Sequence, residues 1–109
     1  MAASASLKQD EAYDLRKFSM LILEDSPFIA KLLSGALKNL GVGTVHIAHN
    51  IESAKELLLK HNWSEGEIEI DVLLSDWLLP DGLAAQFIEW VRKSDSDRLR
   101  FLPIIVCSA

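Results

Sequence analysis

The sequence predicts an α/β domain built around a doubly wound parallel sheet. Short, nearly continuous apolar runs alternate with segments whose apolar residues recur at helical spacing, in the order strand, helix, strand, helix, strand, helix, strand. Strands of almost uninterrupted apolar character are typical of a parallel sheet covered by helices on both faces. The 109 residues are enough for one small domain with one core.

The first strand and helix are predicted between residues 18 and 41. The apolar run FSMLIL, residues 18–23, indicates the strand. Ser26 is a good N-cap, Pro27 suits the first helical position, and Gly41 can end the helix. Apolar residues recur between these signals at helical spacing: Phe28, Ile29, Leu32, Leu33, Ala36, Leu37 and Leu40.

The middle of the chain repeats this pattern. TVHIA, residues 44–48, is the second predicted strand, and Asn50 can cap the helix that follows. DVLLS, residues 71–75, is the third predicted strand. One face of the second helix carries Ile51, Ala54, Leu57 and Leu58.

The last part of the chain supplies one more helix and one more strand. LAAQFIEWVRK, residues 83–93, is the third predicted helix, with Phe87, Ile88 and Val91 pointing inward. DSDRLR is predicted to be a charged loop, and PIIVC, residues 103–107, to be the fourth strand.

The amino-acid composition and net charge limit the class of protein to which this chain can belong. An apolar fraction of 50% with 25% charged residues indicates a globular chain. The net charge of −5, without a basic stripe, argues against direct nucleic-acid binding. No apolar stretch reaches the roughly 18–20 residues of a membrane helix, and no signal peptide is recognisable, so we expect a cytoplasmic protein without membrane contact. Residues 1–16 are expected to form a flexible tail before the domain at residues 17–109.

Polar side chains follow three of the four predicted strands. Glu24 and Asp25 end the first strand, Asp76 ends the third and Ser108 ends the fourth. Because parallel strands end at the same edge of a sheet, these groups are expected to lie together. Neighbouring carboxylates repel one another, and a hard divalent cation relieves that repulsion. Mg²⁺ suits such oxygen ligands and often serves phosphoryl chemistry, so we expect a magnesium site here.

A simpler interpretation stays open for each acid taken alone. An acid after a strand often serves only in a turn, and an acid pair before Ser26 and Pro27 is favoured near a helix N-terminus. The joint placement of these acids at the ends of several strands of one sheet favours the metal site.

With these residues in place, the sequence resembles the receiver domains of two-component response regulators over about residues 18–109. The resemblance rests on the segments LILEDSPFIAKLLSGAL, DVLLSDWLLPDGLAAQFIEWVR and PIIVCSA. It implies that Asp76 is the phosphoacceptor, that Asp25 and Asp76 bind Mg²⁺ directly, and that Glu24 binds it through water. The backbone carbonyl of Leu78 is the further implied metal ligand.

The resemblance also implies roles at the end of the fourth strand. Ser108 matches the hydroxyl that hydrogen-bonds the phosphoryl oxygens and couples them to a switch, and Ala109 matches the small residue that leaves access to the aspartyl phosphate. The implied donor is a sensor histidine kinase or a phosphotransfer protein. Such a domain is not a classical enzyme, since it catalyses at most its own phosphorylation and dephosphorylation.

Some features depart from the family pattern. The flavodoxin-like receiver sheet has the strand order 2-1-3-4-5, and this sequence predicts 2-1-3-4, with the fifth strand and last helices missing. The family's phosphate-binding lysine is missing with them, and Lys93 on the third helix cannot replace it, so impaired phosphoryl transfer is expected. Residues 103–107 would then form an open apolar edge through which the chain dimerises. Leu83 and Ala84 stand where the family often has Asp-Gly, which leaves the path of that loop open.

Other functions compete with that of a phosphoacceptor. A receiver-like interaction module that is not phosphorylated fits the same fold and remains open. A phosphohydrolase of the haloacid-dehalogenase type would need a second Asp two residues after the nucleophile, and Leu78 occupies that position.

Overall fold

A computed structural model describes residues 14–63 and 69–107 of the chain. After a single 3₁₀ turn at Leu15–Lys17, the long strands alternate with helices, and a short hairpin and a short extra helix are added in the last third of the chain. They are β1 (Ser19–Leu23), α1 (Pro27–Asn39), β2 (Thr44–Ala48), α2 (Ile51–Asn62), β3 (Val72–Asp76), β4 (Leu78–Leu79), β5 (Gly82–Leu83), α3 (Ala84–Arg92), α4 (Asp97–Arg100) and β6 (Ile104–Cys107).

Four of the strands form one parallel sheet in the order β2-β1-β3-β6. Leu21 of β1 lies opposite His46 of β2 and Leu73 of β3, and Asp76 of β3 lies opposite Cys107 of β6. Since β6 is the fourth long strand along the chain, this is the predicted order 2-1-3-4, and the predicted fold class is confirmed. The short strands β4 and β5 form a separate antiparallel hairpin directly after β3.

The predicted helix caps occur in the structure. The Ser26 hydroxyl accepts a hydrogen bond from the Ile29 N–H at 3.3 Å, and the Asn50 side chain accepts one from the Ser53 N–H at 2.8 Å. Gly41 follows α1 with φ of 100°, a left-handed conformation that glycine adopts without steric cost.

The core lies on both faces of β1, whose five residues are all buried. Leu21 and Leu23 pack with residues of α2 and α3 in one apolar cluster. Met20 and Ile22 alternate with them and therefore face the opposite side, where α1 contacts β1 and β2. The sheet thus has helices on both faces, as the continuous apolar strands predicted.

The apolar face of α1 is wider than the surface that the sheet covers. Its fully covered positions are the small residues Ala30 and Ser34, whereas Phe28 is 71% exposed and Leu32 and Leu40 are also exposed. Helical spacing of apolar residues therefore predicted the helix correctly but not which residues are buried.

The prediction of a plain charged loop at DSDRLR was wrong. Residues Asp97–Arg100 form the short helix α4, and the side chain of Leu99 is completely buried in the core. The loop before α4 is fixed as well, because the Ser96 hydroxyl donates to the Asn62 carbonyl oxygen at 2.8 Å. The buried side chain of Leu99 and this hydrogen bond together dock the turn against the domain.

β6 occupies the outer position of the described sheet and is only half covered. Its residues alternate between partly buried and exposed, with Ile105 54% exposed and Cys107 exposed. Dimerisation through this strand stays a prediction. Most of the predicted tail, residues 1–13, lies outside the described residues. None of the helices in the described ranges combines the length and apolar character needed to cross a bilayer.

Candidate functional site

Three carboxylates meet at the edge of the sheet where the parallel strands end. Glu24 and Asp25 directly follow β1, and Asp76 is the last residue of the neighbouring strand β3. One carboxylate oxygen from each lies within 4.8 Å of the others. Glu24 and Asp76 are partly buried and Asp25 is exposed, so the group opens to solvent on one side.

Glu24 is partly buried and lies beside the other two acids. Burial raises the pKa of its carboxyl group above the ordinary value, and the neighbouring carboxyls of Asp25 and Asp76 act in the same direction. The Ser26 N–H donates to Glu24 at 2.8 Å and opposes this pKa rise in part. A carboxylate in this position is stabilised by any positive charge that enters the group.

The backbone around Asp76 holds its carboxylate at the end of β3. The Trp77 N–H donates to Asp76 Oδ1 at 2.9 Å, and the buried Ser75 hydroxyl donates to the Asp76 carbonyl oxygen at 2.9 Å. The strand pairing with Cys107 anchors the same residue on its other side. Asp76 is therefore carried to the rim by a rigid strand, and its side chain still reaches solvent.

The hairpin after Asp76 explains the path of the loop that the sequence left open. Leu78 pairs with Leu83, and the Ala84 N–H donates to the Trp77 carbonyl oxygen at 3.1 Å. Gly82 has the one positive φ of this turn, at 155°. The chain therefore turns here without needing a glycine at position 84, where Ala84 stands. Leu83 is the extended residue before α3, and Ala84 is its first residue.

Sequence reasoning missed the contacts that two residues, Asp81 and His49, make at this edge. Asp81 accepts hydrogen bonds from the Ile51 N–H at 2.9 Å and the Glu52 N–H at 3.1 Å, and the Ile51 bond is the main reason that the pKa of Asp81 is lowered. The His49 ring donates from Nδ1 to the Glu24 carbonyl oxygen at 2.9 Å. Asp81 had a signal in the turn sequence PDG, but its partners are some thirty positions away along the chain.

The predicted residues fit a hard divalent cation as far as the structure describes them. Glu24, Asp25 and Asp76 offer only oxygen donors, which is the ligand type of Mg²⁺, and their oxygens are close enough to share one ion. Leu78 lies two residues beyond Asp76, in β4. Ser108 and Ala109 lie outside the described residues, so their predicted roles stay predictions.

Comparisons with known proteins find similar solved structures but no matching family model or curated protein. Neither a scan against protein-family models nor a search of curated proteins finds a match. Solved structures do match. A sensor protein from Polaromonas sp. JS666 is 29% identical with a TM-score of 0.72, over 84% of this chain and 66% of that one.

Two further matches are named as a response regulator and as a signal receiver domain. The MaeR response regulator bound to beryllium trifluoride is 25% identical with a TM-score of 0.69, over 84% of this chain and 67% of that one. The signal receiver domain of a histidine kinase from Syntrophus aciditrophicus is 27% identical with a TM-score of 0.68, over 82% of this chain and 60% of that one.

The chain has the fold of the response-regulator receiver domains, and its resemblance to them is confirmed by these structures. Receiver domains are signalling modules and not classical enzymes. The chain spans 66%, 67% and 60% of the lengths of the three structures named.

Proposed function

We propose that the chain is a phosphoacceptor receiver domain of a two-component phosphorelay, and that Asp76 accepts a phosphoryl group from a phosphohistidine. The donor is a sensor histidine kinase or a phosphotransfer protein. The observation that carries the proposal is the meeting of Glu24, Asp25 and Asp76 at the strand-end edge of a receiver fold, with oxygens within 4.8 Å. A similar fold is that of MaeR, a response regulator bound to beryllium trifluoride.

The residues proposed to hold Mg²⁺ are the three acids and one backbone carbonyl. Asp25 and Asp76 bind directly, Glu24 binds through water, and Leu78 contributes its carbonyl oxygen. When bound, the cation neutralises negative charge on the acids and on the phosphoryl oxygens. The raised pKa of Glu24 agrees with this assignment, because it reflects a partly buried carboxyl that lies beside other acids.

Asp76 is the nucleophile that accepts the phosphoryl group. Its Oδ1 is held by the Trp77 N–H at 2.9 Å, which leaves Oδ2 to attack the phosphorus atom. A P–O bond forms as the P–N bond to the donor imidazole breaks, and the imidazole nitrogen keeps the bonding electron pair. Ser108 is proposed to hydrogen-bond the transferred phosphoryl group, and Ala109 to leave room beside it.

Phosphorylation by a small-molecule donor tests the proposal. The protein is incubated with acetyl phosphate and Mg²⁺, and its intact mass is measured beside Asp76→Asn and a control, Asp95→Asn, at an exposed acid in the loop between α3 and α4. We expect one phosphate-sized addition on the parent and the control and none on Asp76→Asn. Labelling of Asp76→Asn would contradict the assignment, and an unlabelled parent would support the interaction module instead.

A further inference from the structure

We infer that Asp81 is a positioning residue for the proposed metal site, because it ties the β4–β5 hairpin to the N-terminus of α2 and so fixes the carbonyl of Leu78. This inference rests on the proposed function. It assigns a role in that site to a residue that contacts neither the metal nor the phosphoryl group.

The hairpin that carries Leu78 has little stability of its own. Each of its strands has two residues, and two-stranded hairpins are marginal in water even when they are longer. Two of its paired residues bury little surface, since Leu78 is 63% exposed and Leu83 is 43% exposed, whereas Leu79 packs against the core. The position of the Leu78 carbonyl therefore depends on the packing of Leu79 and on what holds the two ends of the hairpin.

The base of the hairpin is joined to the site by the chain itself. Asp76 ends β3, and the Ala84 N–H donates to the Trp77 carbonyl oxygen at 3.1 Å. The tip is held through Asp81, whose two carboxylate oxygens accept from the Ile51 N–H at 2.9 Å and the Glu52 N–H at 3.1 Å. Because the first N–H groups of a helix lack intrahelical partners and carry partial positive charge, a carboxylate there is well placed.

Close packing at Gly82 shows how tightly the tip is seated. A Cβ atom at this position would lie 3.0 Å from Ile51 Cδ1 and 3.1 Å from Gln86 Oε1. The same tip thus contacts the first residue of α2 and the first turn of α3. Without Asp81 the hydrogen bonds on the α2 side are lost, while the carboxylates at the ends of β1 and β3 keep their own anchors.

The chain offers a matched control for the helix-capping part of this role. Asn50 caps the same helix through the Ser53 N–H at 2.8 Å, yet it belongs to the loop before α2 and not to the hairpin. Loss of either cap should loosen the start of α2. Only loss of Asp81 should also release Leu78.

The test is a titration with Mg²⁺ alone, followed by the fluorescence of Trp77 and accompanied by melting temperatures. We expect Asp81→Ala to weaken the apparent Mg²⁺ affinity about tenfold, the usual lower bound for losing an outer-sphere partner. Asp81→Asn, which keeps one acceptor oxygen, should be intermediate. Asn50→Ala should lower the melting temperature comparably and leave the Mg²⁺ affinity unchanged.

Two outcomes of this titration would contradict the inference. Equal loss of Mg²⁺ affinity in Asp81→Ala and Asn50→Ala would show that only the stability of α2 matters. An unchanged affinity in Asp81→Ala would show that the hydrogen bonds of Asp81 do not affect the metal site. If Asp81→Ala does not fold, Asp81→Asn against Asn50→Ala gives the same comparison. A parent protein with no saturable Mg²⁺ response would instead refute the proposed function, and the inference with it.

Discussion

The side chain of Asn62 and the backbone of Ile70 are joined by two reciprocal hydrogen bonds inside the core. The Ile70 N–H donates to Asn62 Oδ1 at 2.8 Å, and Asn62 Nδ2 donates to the Ile70 carbonyl oxygen at 2.9 Å and to the Arg98 carbonyl oxygen at 3.1 Å. Both residues are completely buried. One amide therefore connects the end of α2, the approach to β3 and the helix α4.

Replacing Asn62 by Leu should destabilise the fold by about 2–4 kcal/mol, because the buried backbone groups of Ile70 and the partly buried carbonyl of Arg98 lose their partner. Urea unfolding measures the loss. The control is Asn39→Leu at the exposed end of α1, which should change stability by less than about 0.5 kcal/mol. Equal effects at the two positions would show that the buried amide is unimportant.

Gly43 should not tolerate a side chain. A Cβ atom there would lie 1.8 Å from the Arg16 carbonyl oxygen, so the 3₁₀ turn at Leu15–Lys17 must move away from β2. We expect Gly43→Ala to cost about 1–3 kcal/mol in stability. Gly35→Ala is the control, since its Cβ would meet nothing within 4 Å in the middle of α1, and it should stabilise the protein by about 0.5–1 kcal/mol. A neutral Gly43→Ala would contradict the close approach.

The hydrogen bonds that Asp81 accepts from the start of α2 should make the stability of the fold depend on pH in the acid range. The hydrogen bond from the Ile51 N–H lowers the pKa of Asp81 below its ordinary value of 3.8, so the ionised form stabilises the folded state. That contribution is fully present above pH 3.8 and is lost as pH falls through the lower, folded-state pKa. The stability difference between the parent and Asp81→Asn should therefore shrink on acidification below pH 3.8. The loss of stability in Asn50→Ala should not change with pH in this way, because the Asn50 side chain does not ionise. If the stability difference between the parent and Asp81→Asn stayed constant on acidification, the proposed role of the Asp81 carboxylate would be wrong.

Asp25 should matter more than Glu24 for Mg²⁺ binding. Asp25 is proposed to bind the ion directly and Glu24 through water, so Asp25→Asn removes the stronger contact. In a Mg²⁺ titration followed by Trp77 fluorescence, we expect Asp25→Asn to weaken binding more than Glu24→Gln. The reverse order would mean that the two roles are exchanged.

The parts of the fold that depend on local signals were predictable. The four strands of the parallel sheet were found to within one residue at each end, because their apolar runs are nearly continuous and are flanked by polar residues, whereas the short strands β4 and β5 were not predicted. Ser26 and Asn50 acted as the predicted caps, since capping needs only residues that are close in sequence. The convergence of Glu24, Asp25 and Asp76 followed from the rule that parallel strands end at one edge.

The parts that depend on long-range contacts were not predictable. α4 was hidden because Leu99 is one apolar residue among charged ones, and only its burial against the core reveals the helix. Helical spacing alone could not show which apolar residues of α1 are exposed, because the helix has more apolar residues than the sheet can cover. The contact of Asp81 with Ile51 joins segments whose proximity is set by the packing of α2 against the hairpin.

The most direct test of the central claim is to identify the phosphorylated residue chemically. After incubation with acetyl phosphate and Mg²⁺, borohydride converts an aspartyl phosphate to homoserine, and peptide mass spectrometry locates the change. We expect homoserine at position 76 alone, absent when EDTA replaces Mg²⁺ and absent in Asp76→Asn. Homoserine at another acid, or the same yield at position 76 in EDTA, would contradict a magnesium-dependent phosphoacceptor at Asp76.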